Sequence, residues 1–238
     1  MTEGNSLSKI IYNKQLSKDF YIMKVDGKFD CEIGQFCMLR AWDKYPTLSR
    51  PISIYDADKE GITFLYKVVG EGTEIFSNLE KGDEIKVDGP YGNGFPKVHG
   101  KVALVGGGVG IAPFYLTSKV LKKIDKDTTV DIFLGFSDEA LLEEEFKKVA
   151  DKVVINVGGY ITDNINPEDY DYIFTCGPEI MMKVLYNKVK GSKAKLYVSM
   201  ENRMACGVGV CLVCTCKTKN GNRRACKEGP VFLGEEVF

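Results

Sequence analysis

The chain has 238 residues, 44% apolar and 27% charged, with a formal net charge of −1 from 32 basic and 33 acidic side chains. These values exclude a disordered, fibrous or collagen-like chain and supply no basic excess for a nucleic-acid partner. The single histidine, His99, excludes chemistry built on a His dyad or a His-rich metal site.

Met1–Asn13 has no apolar h-region and no small-residue cleavage site, so no signal peptide is expected. Residues 7–98 read as β. Segments 8–16, 19–25, 35–42, 52–57, 62–69 and 83–88 are strand-length and rich in Ile, Val, Phe and Tyr, with Gly, Asp or Pro between them. Residues 73–79 suggest a short helix with Thr73 as its N-cap. Short strands at regular spacing imply an antiparallel barrel, and Pro90, Gly92, Gly94 and Pro96 mark its end. Residues 102–116 are the longest apolar stretch. They fall short of the roughly 18 residues a membrane span needs and contain four glycines and Pro113, so no membrane is expected and the location is read as cytoplasmic.

From Lys101 strand-like segments (102–105, 130–136, 153–157, 172–175, 195–199) alternate with helical ones (112–124, 142–149, 179–189), which implies a parallel sheet with helices on its faces. Residues 200–238 are dense in Cys and Gly, with turn signals at Asn220-Gly221 and Gly229-Pro230. The expected organisation is a β barrel over 1–98, an α/β unit over 99–199 and a cysteine-rich segment over 200–238.

Five of the eight cysteines lie in that last segment. Cys206, Cys211, Cys214 and Cys226 are spaced C-x4-C-x2-C-x11-C, and the first three match the plant-type [2Fe–2S] ferredoxin pattern. Thiolates converging on a small cluster need tight turns of unusual dihedral, which Gly207 and Gly209 can supply. Structural zinc and metal-free thiols are the alternatives, but zinc favours paired C-x2-C knuckles and only one is present. Cys216 would share a strand face with Cys214, so it is either a substitute ligand or a buried small apolar residue.

Gly106, Gly107, Gly108 and Gly110 follow an apolar strand and open a helix, an arrangement that binds pyrophosphate or, without a ligand, is a tight turn. Cys176, Gly177 and Pro178 form a second strand-to-helix turn that a parallel sheet brings to the same carboxyl edge. Cys176 is there either beside a nicotinamide ring or as a buried turn cysteine. In the barrel, Arg50-Pro51-Ile52-Ser53 starts one strand, Leu65-Tyr66-Lys67 lies on the next, and Gly72-Thr73 enters the short helix. Arg50 suits a flavin's phosphate or ribityl region, Ser53 its N5 side and Gly72-Thr73 its pyrophosphate.

Together with Asp88–Phe95 and Met204–Cys211, these motifs resemble the ferredoxin–NADP reductase superfamily, and within it the electron-transfer subunits of class 1B, NAD-dependent dihydroorotate dehydrogenases of pyrimidine biosynthesis. The resemblance covers nearly the whole chain. It implies an FAD-binding barrel, an NAD-binding α/β unit and a [2Fe–2S] segment. It also implies an FMN-containing catalytic partner that oxidises dihydroorotate, in a heterotetramer of two of each subunit. If, as in the reductases that these motifs resemble, the loop after the strand 130–136 lies near the adenine ribose, Ser137-Asp138-Glu139 would repel a 2′-phosphate, which implies NAD in preference to NADP. The alternative is the FAD/[2Fe–2S] subunit of a ferredoxin–NADP transhydrogenase or of a sulfide or sulfite reductase. A zinc-stabilised, inactive interaction module is the non-enzymatic reading. Lys217, Lys219, Arg223 and Arg224 are candidates for pairing with carboxylates on the partner.

Overall fold

The computed structural model describes residues 6–238. Strands β1 (Ser6–Gln15), β2 (Phe20–Asp26), β3 (Phe36–Arg40), β4 (Arg50–Ala57), β5 (Gly61–Lys67) and β6 (Glu84–Tyr91) close an antiparallel barrel in the order β1-β2-β5-β4-β3-β6. Alternation along the strands sets its two faces. On β3, Cys37 and Leu39 join the barrel core with Met23, Ile54 and Phe64, while Phe36 and Met38 belong to a separate apolar cluster outside it.

Helix α1 (Glu71–Ser77) packs through Phe76, which stacks on Trp42 at 5.5 Å and meets Tyr66 edge-on. The Asn13 amide donates to the carbonyls of Phe76 and Leu79 at the end of this helix. The helix starts earlier than the sequence suggests, with Gly70 at the N-cap. Thr73 is not the cap. Its hydroxyl accepts from the N–H groups of Val69 and Gly70 at 2.9 and 3.2 Å and donates to the Gly70 carbonyl at 2.8 Å.

Strands β7 (Lys101–Gly107), β8 (Thr129–Phe136), β9 (Lys152–Val157), β10 (Tyr172–Cys176) and β11 (Lys195–Ser199) form a parallel sheet in the order β11-β10-β7-β8-β9. Helices α2 (Phe114–Ile124), α3 (Glu143–Lys147) and α4 (Glu179–Val189) connect them. Val102–Val105 is fully buried at the centre, as a strand covered on both faces must be. The order reverses between β7 and β10, and such a switch point opens a crevice at the carboxyl edge.

The remaining chain makes a hairpin of β12 (Thr215–Thr218) and β13 (Gly221–Arg224), then β14 (Val231–Leu233) and a helical turn, α5 (Gly234–Val237). Strand β14 pairs antiparallel with β11 and becomes the sheet's sixth strand. Three residues are too few for a periodicity to be read, which is why this strand was not expected.

One apolar core runs from the barrel into the sheet. Phe95 stacks on Phe174 at 4.7 Å, Tyr55 stacks on Tyr115 at 4.7 Å, and Lys119 pairs with Asp56 at 2.6 Å.

Candidate functional site

The four spaced cysteines gather as two pairs. Cys214 and Cys226 have sulfurs 3.2 Å apart and are 1% and 2% exposed. The Cys226 N–H also points at the Cys214 sulfur at 3.5 Å. Cys206 is half-buried and Cys211 exposed. Burial pushes the Cys206 thiol up, but hydrogen bonds from Cys211, Val208 and Val210 outweigh it and bring its pKa down to about 6. The Val210 N–H lies 3.4 Å from that sulfur. Burial and the Cys214 thiol push Cys226 up to about 12.

Gly207 and Gly209 take φ of +71° and +82°, the left-handed turns a convergent thiol loop requires. Leu212 takes φ of +62° without being glycine, a strained position that spacing alone does not reveal. Cys216 points elsewhere. It is buried in the apolar cluster of the α/β sheet, its thiol donating to the Arg223 carbonyl at 3.4 Å. The alternation that would pair it with Cys214 fails because β12 begins only at Thr215.

The cluster segment is seated on the barrel. Cys214, Cys226, Met204 and Ala225 pack with Phe36, Met38 and Tyr91. Asn93 accepts from Val231 and donates to the Gly229 carbonyl at 2.6 Å through its backbone, and its side chain donates to the carbonyls of Lys227 and Glu228. A cavity of about 310 Å³ lies between Tyr91–Asn93 and Gly207, Cys226 and Lys227. Arg224 is engaged within the segment, hydrogen-bonded to both carboxylate oxygens of Glu228 and, at 2.7 Å, to the Gly209 carbonyl. It is therefore not free for a partner, unlike the exposed Lys217 and Arg223.

At the sheet's carboxyl edge, Gly106 and Cys176 are register partners. Most of the glycines there are required by packing of loop on loop. A Cβ at Gly110 would stand 2.4 Å from the Cys176 carbonyl oxygen, one at Gly177 2.8 Å from the Gly107 oxygen, and one at Gly107 3.0 Å from Pro178 and the Met181 sulfur. Gly106 is closed off by Ile111 at 2.9 Å. Only Gly108, with φ of +57°, faces open space, so it is the position where the turn can receive a ligand. Cys176 is completely buried, and its thiol donates to the Glu201 carboxylate at 3.5 Å. Glu201 is exposed and escaped the sequence reading. The available signal was a carboxylate two residues past β11, at the same edge as Cys176.

In the barrel, the β4–β5 ladder stops at Ile54 and Phe64. Beyond it Arg50–Ser53 pair only with β3 and Leu65–Lys67 only with β2, so the facing edges of β4 and β5 carry no ladder. Such edges offer backbone donors and acceptors to a flat ring. The Tyr66 side chain is not part of that opening. It is buried, stacked on Tyr21, and its hydroxyl donates to Asn13 at 3.0 Å. The Arg50 guanidinium lies over Trp42 and against Gly72, where a Cβ would stand 2.6 Å from Arg50 Nε and 2.9 Å from the indole. A cation beside a glycine at a helix start is a cradle for a phosphate. Thr73 is engaged locally, its hydroxyl with Val69 and Gly70 and its N–H with the Gly70 carbonyl at 3.0 Å, which leaves the cradle to Arg50 and Gly72.

The donor set fits two irons better than one zinc. Zinc needs four thiolates about 2.3 Å from one point, whereas these thiols form an outer and an inner pair. The β4–β5 opening with Arg50 over Gly72 fits a flavin dinucleotide, and the switch-point crevice fits a nicotinamide dinucleotide.

Residues 201–238 match the family model described as the iron-sulfur cluster binding domain of dihydroorotate dehydrogenase B. A dihydroorotate dehydrogenase B (NAD(+)) electron transfer subunit of Clostridium acetobutylicum is 49% identical over 247 residues, covering 100% of this chain and 99% of the relative. The subunit of the same name from Clostridium perfringens is 42% identical, with 96% of each chain covered. Among solved structures, the NADH-dependent reduced ferredoxin-NADP oxidoreductase superposes with a TM-score of 0.89 at 28% identity, covering 100% of this chain and 91% of that one. A ferredoxin NADP+ reductase from Neisseria gonorrhoeae with bound FAD and NADP shares the fold, with a TM-score of 0.64 at 18% identity over 84% of this chain and 95% of that one.

Proposed function

The chain belongs to the family of dihydroorotate dehydrogenase B (NAD(+)) electron transfer subunits, and from that premise we propose that it binds FAD and a [2Fe–2S] cluster and passes electrons from an FMN-containing, dihydroorotate-oxidising partner to NAD+. The observation that carries this reading is the seating of the Cys214–Cys226 pair on the outer face of β3, beside the strand edges that can hold a flavin. FAD, when bound, exchanges single electrons with an iron–sulfur cluster and a hydride with NAD+.

Cys206 and Cys211 hold one iron, and Cys214 and Cys226 the other. Arg50 and Gly72 hold the flavin pyrophosphate, with Thr73 closing the turn beside them. Pro51, Ile52 and Ser53 with the backbone of Leu65, Tyr66 and Lys67 line the ring. Gly106, Gly107, Gly110, Gly177 and Pro178 shape the crevice that receives NAD over Gly108, and Cys176 holds Glu201 at its rim. The chain's own work is positioning, and no acid or base is assigned. The exposed carboxylates Asp138 and Glu139 after β8 favour NAD+ over NADP+.

The partner docks on an apolar collar around Cys211. Val208, Val210, Leu212 and Val213 are 46–78% exposed within six residues, more than isolated surface apolar residues require. The assembly is a heterotetramer of two chains of each kind, placed in the cytoplasm where thiols stay reduced. No helix among the described residues is long and apolar enough to cross a membrane.

The test is an absorption spectrum with iron and acid-labile sulfide analysis, followed by turnover. The single chain is expected to show flavin and iron–sulfur bands. It should oxidise NADH with an artificial acceptor, faster than NADPH, and leave dihydroorotate untouched until the partner is added. Absence of both chromophores, or dihydroorotate turnover by the chain alone, overturns the proposal. The similarity to the ferredoxin-NADP oxidoreductase favours a second reading, in which reduced ferredoxin rather than an FMN subunit is the partner. Copurification from the host, with the retained protein assayed for FMN, separates the two.

A further inference from the structure

We infer that Phe36 and Met38 form the partition through which electrons pass between cluster and flavin, and that this pair keeps the inner side of the cluster dry. The inference rests on the proposed placing of the cluster on the four cysteines and of the flavin along Arg50–Ser53.

Register carries the argument. Phe36 pairs with Ser53 and Met38 with Pro51 across β3 and β4. Directly opposite residues of an antiparallel pair lie on one face, with Cβ atoms about 4.5–5.5 Å apart. Pro51 and Ser53 therefore share the outer face of the barrel with Phe36 and Met38, while Cys37 turns into the core. On the other flank of β3, Phe36 pairs with Tyr91 and Met38 with Asp88, and the Phe36 and Tyr91 rings are 6.2 Å apart. Phe36 and Met38 thus share one apolar cluster with the buried cysteines and stand opposite the proposed flavin residues in register.

The same two side chains are pinned. A Cβ on Gly207 would stand 2.7 Å from Met38 Cγ, and one on Gly92 would stand 3.1 Å from Phe36 Cε1 and 2.6 Å from Pro230. The cluster loop therefore lies directly on Met38, and the Phe36 ring is boxed by Gly92. Both are at most 3% exposed. An apolar layer of this kind controls solvent access and local dielectric, and hence the potential of a metal centre. Nothing covalent happens to either residue. In the proposed direction each crossing would return one iron from ferrous to ferric and reduce the flavin by one electron, and with NADH as donor the same crossing runs in reverse.

The experiment uses the purified chain loaded with FAD and cluster, mixed anaerobically with NADH while flavin and cluster bands are followed separately. Cluster potentials are read by paramagnetic-resonance titration. In Phe36→Leu the cluster phase should slow about tenfold relative to the flavin phase of the same trace. In Met38→Gln the cluster potential should rise, because reduction adds negative charge that a polar neighbour stabilises, and Met38→Leu should restore it. Wild-type phase ratios in Phe36→Leu together with a wild-type potential in Met38→Gln, at full FAD and iron content, overturn the inference. If Met38→Gln cannot hold the cluster, the phase ratio of the smaller but still apolar Phe36→Leu decides alone. A wild-type chain lacking flavin or cluster bands defeats instead the function on which the inference rests.

Discussion

The inner and outer faces of the cysteine segment are built to opposite rules. Inward, Cys214 and Cys226 are sealed among Met204, Ala225, Phe36 and Met38. Outward, Cys211 is exposed amid Val208, Val210, Leu212 and Val213. Four ligands of one chemical type thus sit in two environments, one resembling a domain core and the other an interface awaiting cover. In the proposed function this difference would give the cluster a direction: a dry side toward the flavin and a side that becomes dry when the partner covers the collar.

The largest expected effects come from the ligands themselves. Cys211→Ser and Cys214→Ser should each abolish iron–sulfur absorption and acid-labile sulfide. Only Cys214→Ser should also cost about 1–3 kcal/mol of stability, since it buries a hydroxyl in an apolar cluster. Thermal melting of the metal-free proteins measures this, and equal melting temperatures would erase the inner–outer distinction. Cys216→Ser should keep the cluster, and its loss there would show that the ligand set was misassigned.

Gly207→Val attacks the inner contact from the loop side, combining a φ of +71° with a Cβ 2.7 Å from Met38. Cluster occupancy and stability should fall together, by about 1–3 kcal/mol for the latter. A variant with full iron content and wild-type melting would mean that the segment does not lean on the barrel as described. Val210→Asp tests the outer face. Because it changes an exposed side chain, stability should stay within about 0.5 kcal/mol, while affinity for the catalytic partner should drop about tenfold or more. Titration calorimetry reads the second effect, and unchanged affinity would remove the collar from the interface.

The smallest effect sharpens the comparison by charge. Arg223→Glu should alter partner binding only modestly and become silent at high salt, as an exposed charge does. Arg224→Glu should instead lower cluster retention without any partner present, because it sets a carboxylate against Glu228 and releases the Gly209 carbonyl. Identical behaviour of the two neighbours would mean that the clamp contributes nothing.

Much of the architecture was legible because its signals are local. The change from period-two to helical patterning at Lys101, the glycines flanking Cys206 and the cysteine spacing all report constraints that act within a few residues. What was not legible depends on partners distant in sequence. Gly106, Gly107 and Gly110 invite a phosphate reading, yet their lack of a side chain is required by neighbours packed against them, Ile111 at Gly106, Pro178 and Met181 at Gly107 and the Cys176–Gly177 backbone at Gly110. Arg224 looks like a free surface charge until Glu228 and Gly209 are seen around it. Cys216 follows Cys214 by two residues but enters another core, because the strand that would align them starts one residue too late. Thr73 has a cap's chemistry three positions inside the helix, closing the turn from within.

Strand β14 has a consequence for how the four thiols are brought together. It covers the edge of β11 that β10 leaves free. Until β14 pairs there, that edge is unpaired and open to wrong pairing. Once β14 adds to β11, residues 200–230 become a loop with both ends fastened. Four thiols that were scattered along a free tail are then confined to a small volume, and the entropy of bringing them together has already been spent before iron arrives.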